Sequence, residues 1–265
     1  MNANAPLLQV NDLTVKREDR VLCEALSFEA KANECWVIIG PNGVGKSTLL
    51  LTLAGLLPFE RGNIAWQGAP LSSLDAPERA RRRAFLASQQ SDVFSATVFD
   101  AVLAGRHPHL TTLQWESDAD VAAAETALAR LNLEPLAQRD VRALSAGERQ
   151  RVALATVLAQ APSLYLLDEP ASHLDPAQQI EALDTVLAHA REHRAAVVMV
   201  LHELHLATRY ADQVILLGGE NTQKSARVKT GSAEEMLTEK HLSALFGATM
   251  VTLEGGEFRS FVPRS

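Results

Sequence analysis

The chain has 265 residues, 47% of them hydrophobic and 22% charged, with a formal net charge of −7. That length holds one large α/β domain with an inserted subdomain and is too short for two such domains. The acidic balance argues against a broad nucleic-acid-binding surface, which needs clustered Lys and Arg.

The start, MNANAPLLQVNDL, has neither a basic leading segment nor a long apolar run, so it does not read as a secretory signal. No stretch approaches the roughly 18 consecutive apolar residues of a membrane span. Cys23 and Cys35 are the two cysteines. They are too few for a disulfide framework or a four-ligand zinc site, and both stand among apolar residues as buried thiols do. Such sparing use of cysteine fits a reducing cytosol.

Leu7 to Val15 and the stretch around Leu26 to Ala30 alternate like half-buried strands. Trp36-Val37-Ile38-Ile39 is a continuous apolar run ending in glycine, the pattern of a buried parallel strand. A glycine-rich turn follows, then an apolar helix from Lys46 to about Leu56. Arg79, Arg81, Arg82 and Arg83 read as a solvated helix face. Val121 to Leu131 is alanine-rich and helical, with Asp118 as its cap. A further helix begins at Ser145, with Val152, Leu154, Val157 and Leu158 as its buried stripe. Strands follow at Leu164 to Leu167, Ala196 to Leu201 and Gln213 to Leu217. The helix between the first two starts at Pro176, a residue suited to a first turn, and runs to about His193. From His241 a short helix and a hairpin around Gly255-Gly256 close the chain. The expected organisation is a single domain over 1–265. Its α/β core, with a mostly parallel sheet, comes from 1–90 and 159–240; a helical subdomain is inserted at 91–158, and 241–265 is a short extension.

Three motifs carry chemistry. Gly40, Pro41, Asn42, Gly43, Val44, Gly45, Lys46, Ser47 and Thr48 sit between a strand and a helix and match the phosphate-binding loop pattern. Glycines let backbone N–H groups converge on phosphates, the helix start adds positive potential, Lys46 supplies a point charge and Ser47 a hydroxyl for Mg²⁺. Asp168 and Glu169 leave the C-terminal end of a buried strand, where open α/β sheets bind ligands. Asp168 would hold Mg²⁺, and Glu169 would act as general base on the attacking water. Leu144, Ser145, Ala146, Gly147 and Glu148 precede a helix. Ser145 and Glu148 have the spacing of a capping box, and small residues at a helix start leave N–H groups free for an anion.

With LSAGE similar to the LSGGE signature, the set resembles the ABC ATPase family over nearly the whole chain. The resemblance implies a P-loop NTPase core with an N-terminal antiparallel β part and the helical insertion. It implies a D-loop at Ser172-His173-Leu174-Asp175, with Asp175 its aspartate, and a switch histidine at His202. Gln89 or Gln90 would be the Q-loop glutamine, near Mg²⁺ and the attacking water, with Gln89 preferred. Where the family commonly stacks an aromatic on adenine, this chain has Val15-Lys16-Arg17-Glu18. Arg17 could stack its guanidinium there instead, or could be a solvated turn arginine. His202 and His205 are spaced i, i+3, which does not match the zinc-protease pattern.

Gly105-Arg106-His107-Pro108-His109 resembles the stretch found in ATPases of iron-siderophore, haem and vitamin B12 importers. His107 and His109 are expected to lie on a surface turn that packs against the membrane partner, not to bind metal or haem. The resemblance implies ATP as substrate, Mg²⁺ as cofactor, and a head-to-tail homodimer with ATP between the phosphate loop of one subunit and the signature of the other. It also implies transmembrane permease subunits, a periplasmic or extracellular substrate-binding protein acting indirectly, no nucleic acid, and a peripheral place on the cytoplasmic face of the inner (plasma) membrane. The alternative is a soluble ABC ATPase outside transport, such as a cluster-assembly type.

Overall fold

Alternating and continuous apolar runs mark strands of two different sheets. The structure is a computed structural model that describes residues 5–88, 95–111, 115–218, 228–255 and 258–264. Among these, β1 (Leu8–Arg17), β2 (Arg20–Ala30), β4 (Arg61–Trp66) and β5 (Ala69–Pro70) form an antiparallel sheet in the order β2-β1-β4-β5. The second sheet has the order β10-β9-β3-β8-β7-β6 and is built from β3 (Cys35–Ile39), β6 (Arg83–Leu86), β7 (Leu164–Asp168), β8 (Ala196–Val200), β9 (Gln213–Leu217) and β10 (Val228–Ser232). Its strands pair in parallel except β10, which runs antiparallel to β9.

Every residue of β3, β7 and β8 is buried, because the parallel sheet is covered on both faces. On one face Val37, Tyr165, Leu167 and Met199 pack with the helices α5 (Ala146–Gln160), α6 (Pro176–Glu192) and α7 (Leu204–Tyr210). On the other, Trp36, Ile38, Leu166 and Val198 meet α1 (Lys46–Leu53) and the antiparallel sheet. The short α2 (Ala76–Arg82) leads into β6. A helical layer of α3 (Val98–Leu103), α4 (Asp118–Arg130) and α5 comes from the middle of the chain. After β10 come α8 (Ala233–Met236), α9 (Glu239–Phe246) and the hairpin β11 (Met250–Gly255) and β12 (Phe258–Pro263).

Several boundaries differ from expectation. Helix α1 stops at Leu53, because Gly55 takes φ +68 and closes a Schellman turn: Gly55 N–H bonds Thr52 O and Leu56 N–H bonds Leu51 O. The cap of α4 is Ser117 and not Asp118; its hydroxyl accepts from Asp120 N–H, and the Asp120 carboxylate answers from the third helical position. The arginine run is not a solvated face. Arg79 donates to Leu74 O and Leu71 O, Arg82 to Trp66 O and Arg83 to Ala54 O, and only Arg81 is exposed. These carbonyls lie at element ends, where backbone partners run out. Both cysteines are buried free thiols, and all four residues of the expected α5 stripe are buried.

Candidate active site

The loop after β3 is tight at both ends. Gly40 lies against the end of β9, where a Cβ would collide with the Leu217 carbonyl. Gly45, at φ +115, is the residue before α1 and turns the chain into the helix. Lys46 follows, buried at 6% exposure, and its Nζ donates to Gly40 O at 2.8 Å and Pro41 O at 3.1 Å. Burial pulls this ammonium below the usual lysine range, against the opposing pull of Glu169 and Asp168. Arg20, on β2, donates to the Gly43 carbonyl at 3.2 Å and so braces the loop tip.

Strand β7 delivers the acidic pair. Asp168 is 3% exposed, and its Oδ1 has no hydrogen-bond partner among the described residues. Burial raises its carboxyl above the usual aspartate range; hydrogen bonds from Ser47 and Ser88 and the charge of Lys46 oppose that rise, and Glu169 adds to it. Glu169 stands just past the strand at φ +51, a backbone region that non-glycine residues rarely adopt and that recurs at functional sites. Its Oε1 lies 2.6 Å from His202 Nε2. An ionised carboxylate only accepts, so the proton of that bond belongs to the ring. Behind the pair, the buried Gln150 of α5 donates to Pro170 O at 2.8 Å and to Glu169 O at 3.4 Å.

These elements enclose a cavity of about 650 Å³ lined by Arg17, Asn42, Lys46, Ser47, Thr48, Glu169 and His202, together with Gly43 and Gly45. Arg17, from the tip of the β1–β2 hairpin, therefore shares a cleft with the loop and the acidic pair. The ABC transporter family profile matches residues 23–172. The chain belongs to the ABC transporter family.

Relatives within that family are similar along most of their length. The petrobactin import ATP-binding protein FpuD of Bacillus anthracis is 36% identical over 239 residues, covering 90% of this chain and 86% of that protein. The hemin import ATP-binding protein HmuV of Gloeobacter violaceus is 42% identical over 219 residues, covering 80% of this chain and 78% of the relative. Among solved structures, one described as an inward-facing, metal-chelate type ABC transporter superposes with a TM-score of 0.83 at 30% identity, over 98% of both chains.

In this ABC chain the LSAGE segment stands apart from the cleft. Ser145 caps α5 and Glu148 completes a capping box, with Ser145 N–H bonding Glu148 Oε2 at 2.7 Å and Glu148 N–H bonding Ser145 Oγ at 3.2 Å. Ser145 and Ala146 are exposed, Leu144 is buried, and none of the five lines the cavity. Gly147 lies so close to the His173 carbonyl that an added Cβ would sit 3.1 Å from it, so the segment packs on Ser172-His173-Leu174-Asp175 of its own chain. Asp175 caps α6, accepting from Gln178 N–H at 2.9 Å. Gln89 and Gln90 lie outside the described residues.

The Gly105–His109 stretch is largely an internal clasp and not a free surface turn. Gly105 abuts the Thr156 carbonyl, Arg106 bonds Ala159 O at 2.9 Å and Asp120 at 2.8 Å, and His109 bonds Gln160 O at 2.8 Å. Only the His107 side chain, 66% exposed, projects outward. Arg20, Ser88 and Gln150 were not anticipated. Gln150 had a readable signal, a polar residue on the apolar stripe one turn before Leu154.

Proposed function

We propose that this chain binds and hydrolyses MgATP and drives an ABC importer for an iron chelate (siderophore), haem or cobalamin. The observation that carries it is the convergence of Lys46, Ser47, Glu169 and His202 on one cleft, with Asp168 directly behind. The import reading is supported by relatives named for import of petrobactin, hemin and cobalamin.

In this reading the backbone N–H groups that the Gly40 to Thr48 loop offers, with the Lys46 ammonium, hold the β- and γ-phosphates. Glu169 orients the attacking water and takes its proton, while His202 fixes the carboxylate and faces the γ-phosphate. Arg17 stacks on or flanks the base. The residues fit a magnesium ion. Asp168 offers a buried, unpartnered carboxylate oxygen beside the Ser47 hydroxyl, the hard oxygen donors that this ion takes, and Gln89 is the third candidate. Bound there, Mg²⁺ supplies charge neutralisation to the phosphates.

The exposed signature segment at a helix start, apart from its own cleft, supports a head-to-tail dimer in which Ser145 to Glu148 of one subunit close over the ATP of the other. Asp175 would lie at that joint. The single-domain division into a core (1–90 and 159–240), a helical insertion (91–158) and an extension (241–265) belongs to the same reading. No helix among the described residues is long and apolar enough to cross a membrane. The chain would act at the cytoplasmic face, bound to permease subunits. The test is ATP hydrolysis by the purified chain, alone and with the permease in liposomes. Turnover that depends on Glu169 and responds to the permease supports the importer reading; turnover indifferent to the permease favours an ATPase outside transport.

A further inference from the structure

The end of α6 carries a second cluster of ligating side chains, well away from the residues that line the cleft. His189, Glu192 and His193 stand at i, i+3 and i+4 on one helical face, and one ligand atom from each lies within 4.8 Å of the other two. His189 is 7% exposed. Its Nε2 bonds the Leu158 carbonyl of α5 at 3.1 Å, so that nitrogen carries the ring proton and Nδ1 keeps its lone pair. Nδ1 is buried and has no hydrogen-bond partner among the described residues, an unusual state for a polar atom. The His193 ring repeats the arrangement from outside. Its Nδ1 donates to His189 O at 2.9 Å, leaving the Nε2 lone pair free, and the two rings lie 4.2 Å apart.

A histidine that donates one nitrogen to a carbonyl and leaves the other as a lone pair is prepared for a metal, because the carbonyl fixes both tautomer and ring orientation. Glu192 supplies the anionic ligand. Arg130 of α4 holds its carboxylate with bonds of 2.6 and 3.2 Å to the two oxygens, which keeps it ionised and leaves each oxygen a second lone pair. Two histidines at i and i+4 with one carboxylate is the ligand set of zinc sites that keep a fourth position for water. We propose that His189, Glu192 and His193 form a binding site for a borderline divalent transition ion, with zinc as the ion that suits the donors best. Its partners come from three helices: Arg130 on α4, Leu158 O on α5 and the ligands on α6. A bound ion would therefore fasten the helical layer to the core.

The experiment uses the full chain, stripped with a chelator and held in excess Mg²⁺ to occupy oxygen-only sites. Zinc binding is followed by calorimetry and cobalt binding by visible absorption. His193→Ala and Glu192→Gln change exposed residues and keep the fold, which thermal unfolding without metal verifies. The expected result is one zinc per chain and a visible cobalt band in the wild type, with affinity reduced about ten-fold or more in each variant. Zinc should also raise the unfolding midpoint of the wild type alone. Absence of a cobalt band, or zinc binding of equal strength in wild type and His193→Ala, overturns the proposal and leaves a bridging water as the partner of His189 Nδ1 and of the equally unpartnered Tyr165 hydroxyl.

Discussion

His202 Nε2 lies 2.6 Å from Glu169 Oε1, and the two residues follow neighbouring parallel strands whose ends are in register at Asp168 and Val200. The sheet therefore brings the two residues side by side. Both side chains remain about one-third exposed, at 34% and 35%, so the bond is a matter of orientation more than of stability.

Glu169→Gln keeps the shape and the bond to His202 but removes the carboxylate proposed as the base. Phosphate release should fall by about 10²–10⁴-fold, while binding of a fluorescent ATP analogue persists. His202→Ala should also slow turnover, and the double variant should be little slower than Glu169→Gln alone, as for residues acting as a unit. Strictly multiplicative losses would show that the two act independently.

Lys46→Ala removes a charge that sits buried at 6% exposure. ATP affinity should drop sharply, yet the unfolding midpoint should not fall with it, since burial disfavours that ammonium in the folded chain. Nucleotide binding and thermal unfolding measured together distinguish this from simple misfolding.

Gln150→Leu leaves Pro170 O and Glu169 O without their side-chain donor. The cost in stability should be about 1–3 kcal/mol, measured by urea unfolding. Because that bond positions the turn carrying Glu169, kcat should fall more than KM rises.

Asp120 accepts bonds from Ser117 and pairs with Arg106 at 2.8 Å. The Ser117 hydrogen bonds first, then Arg106, hold its carboxyl well below the usual range. In the window between the folded and unfolded values the unfolded chain binds more protons. The stabilisation is therefore complete above about pH 4 and lost as pH falls through the depressed folded value. Asp120→Asn should be destabilising near neutrality, and the gap to the wild type should narrow at about pH 3 and below in denaturant titrations.

Where a segment is buried on both faces, its identity was legible from residue types alone, as with Trp36 to Ile39 and Leu164 to Leu167. Edge and mixed strands were not. In β4, Arg61, Gly62 and Asn63 are exposed and only Ile64 to Trp66 are buried, so half the strand carries no apolar signal. Strand β10 (VKTGS) lies at the sheet edge beside β9, and after Val228 its residues are polar or small. At the cleft, Lys46, Asp168 and Glu169 were readable because local spacing places them. Arg20 and Ser88 were not, because their partners Gly43 and Asp168 are distant in sequence and only the folded sheet brings them together.

The two buried thiols have a practical consequence. Burial pushes Cys23 up to about 12 and drives Cys35 higher still, with Asp212 adding to the effect. Neither presents a thiolate at ordinary pH, so thiol-reactive dyes should leave the native chain unlabelled. The wild-type protein can thus serve as its own blank for single-cysteine labelling. A reporter placed at the exposed Ser145 would test the proposed subunit closure without first replacing either native cysteine.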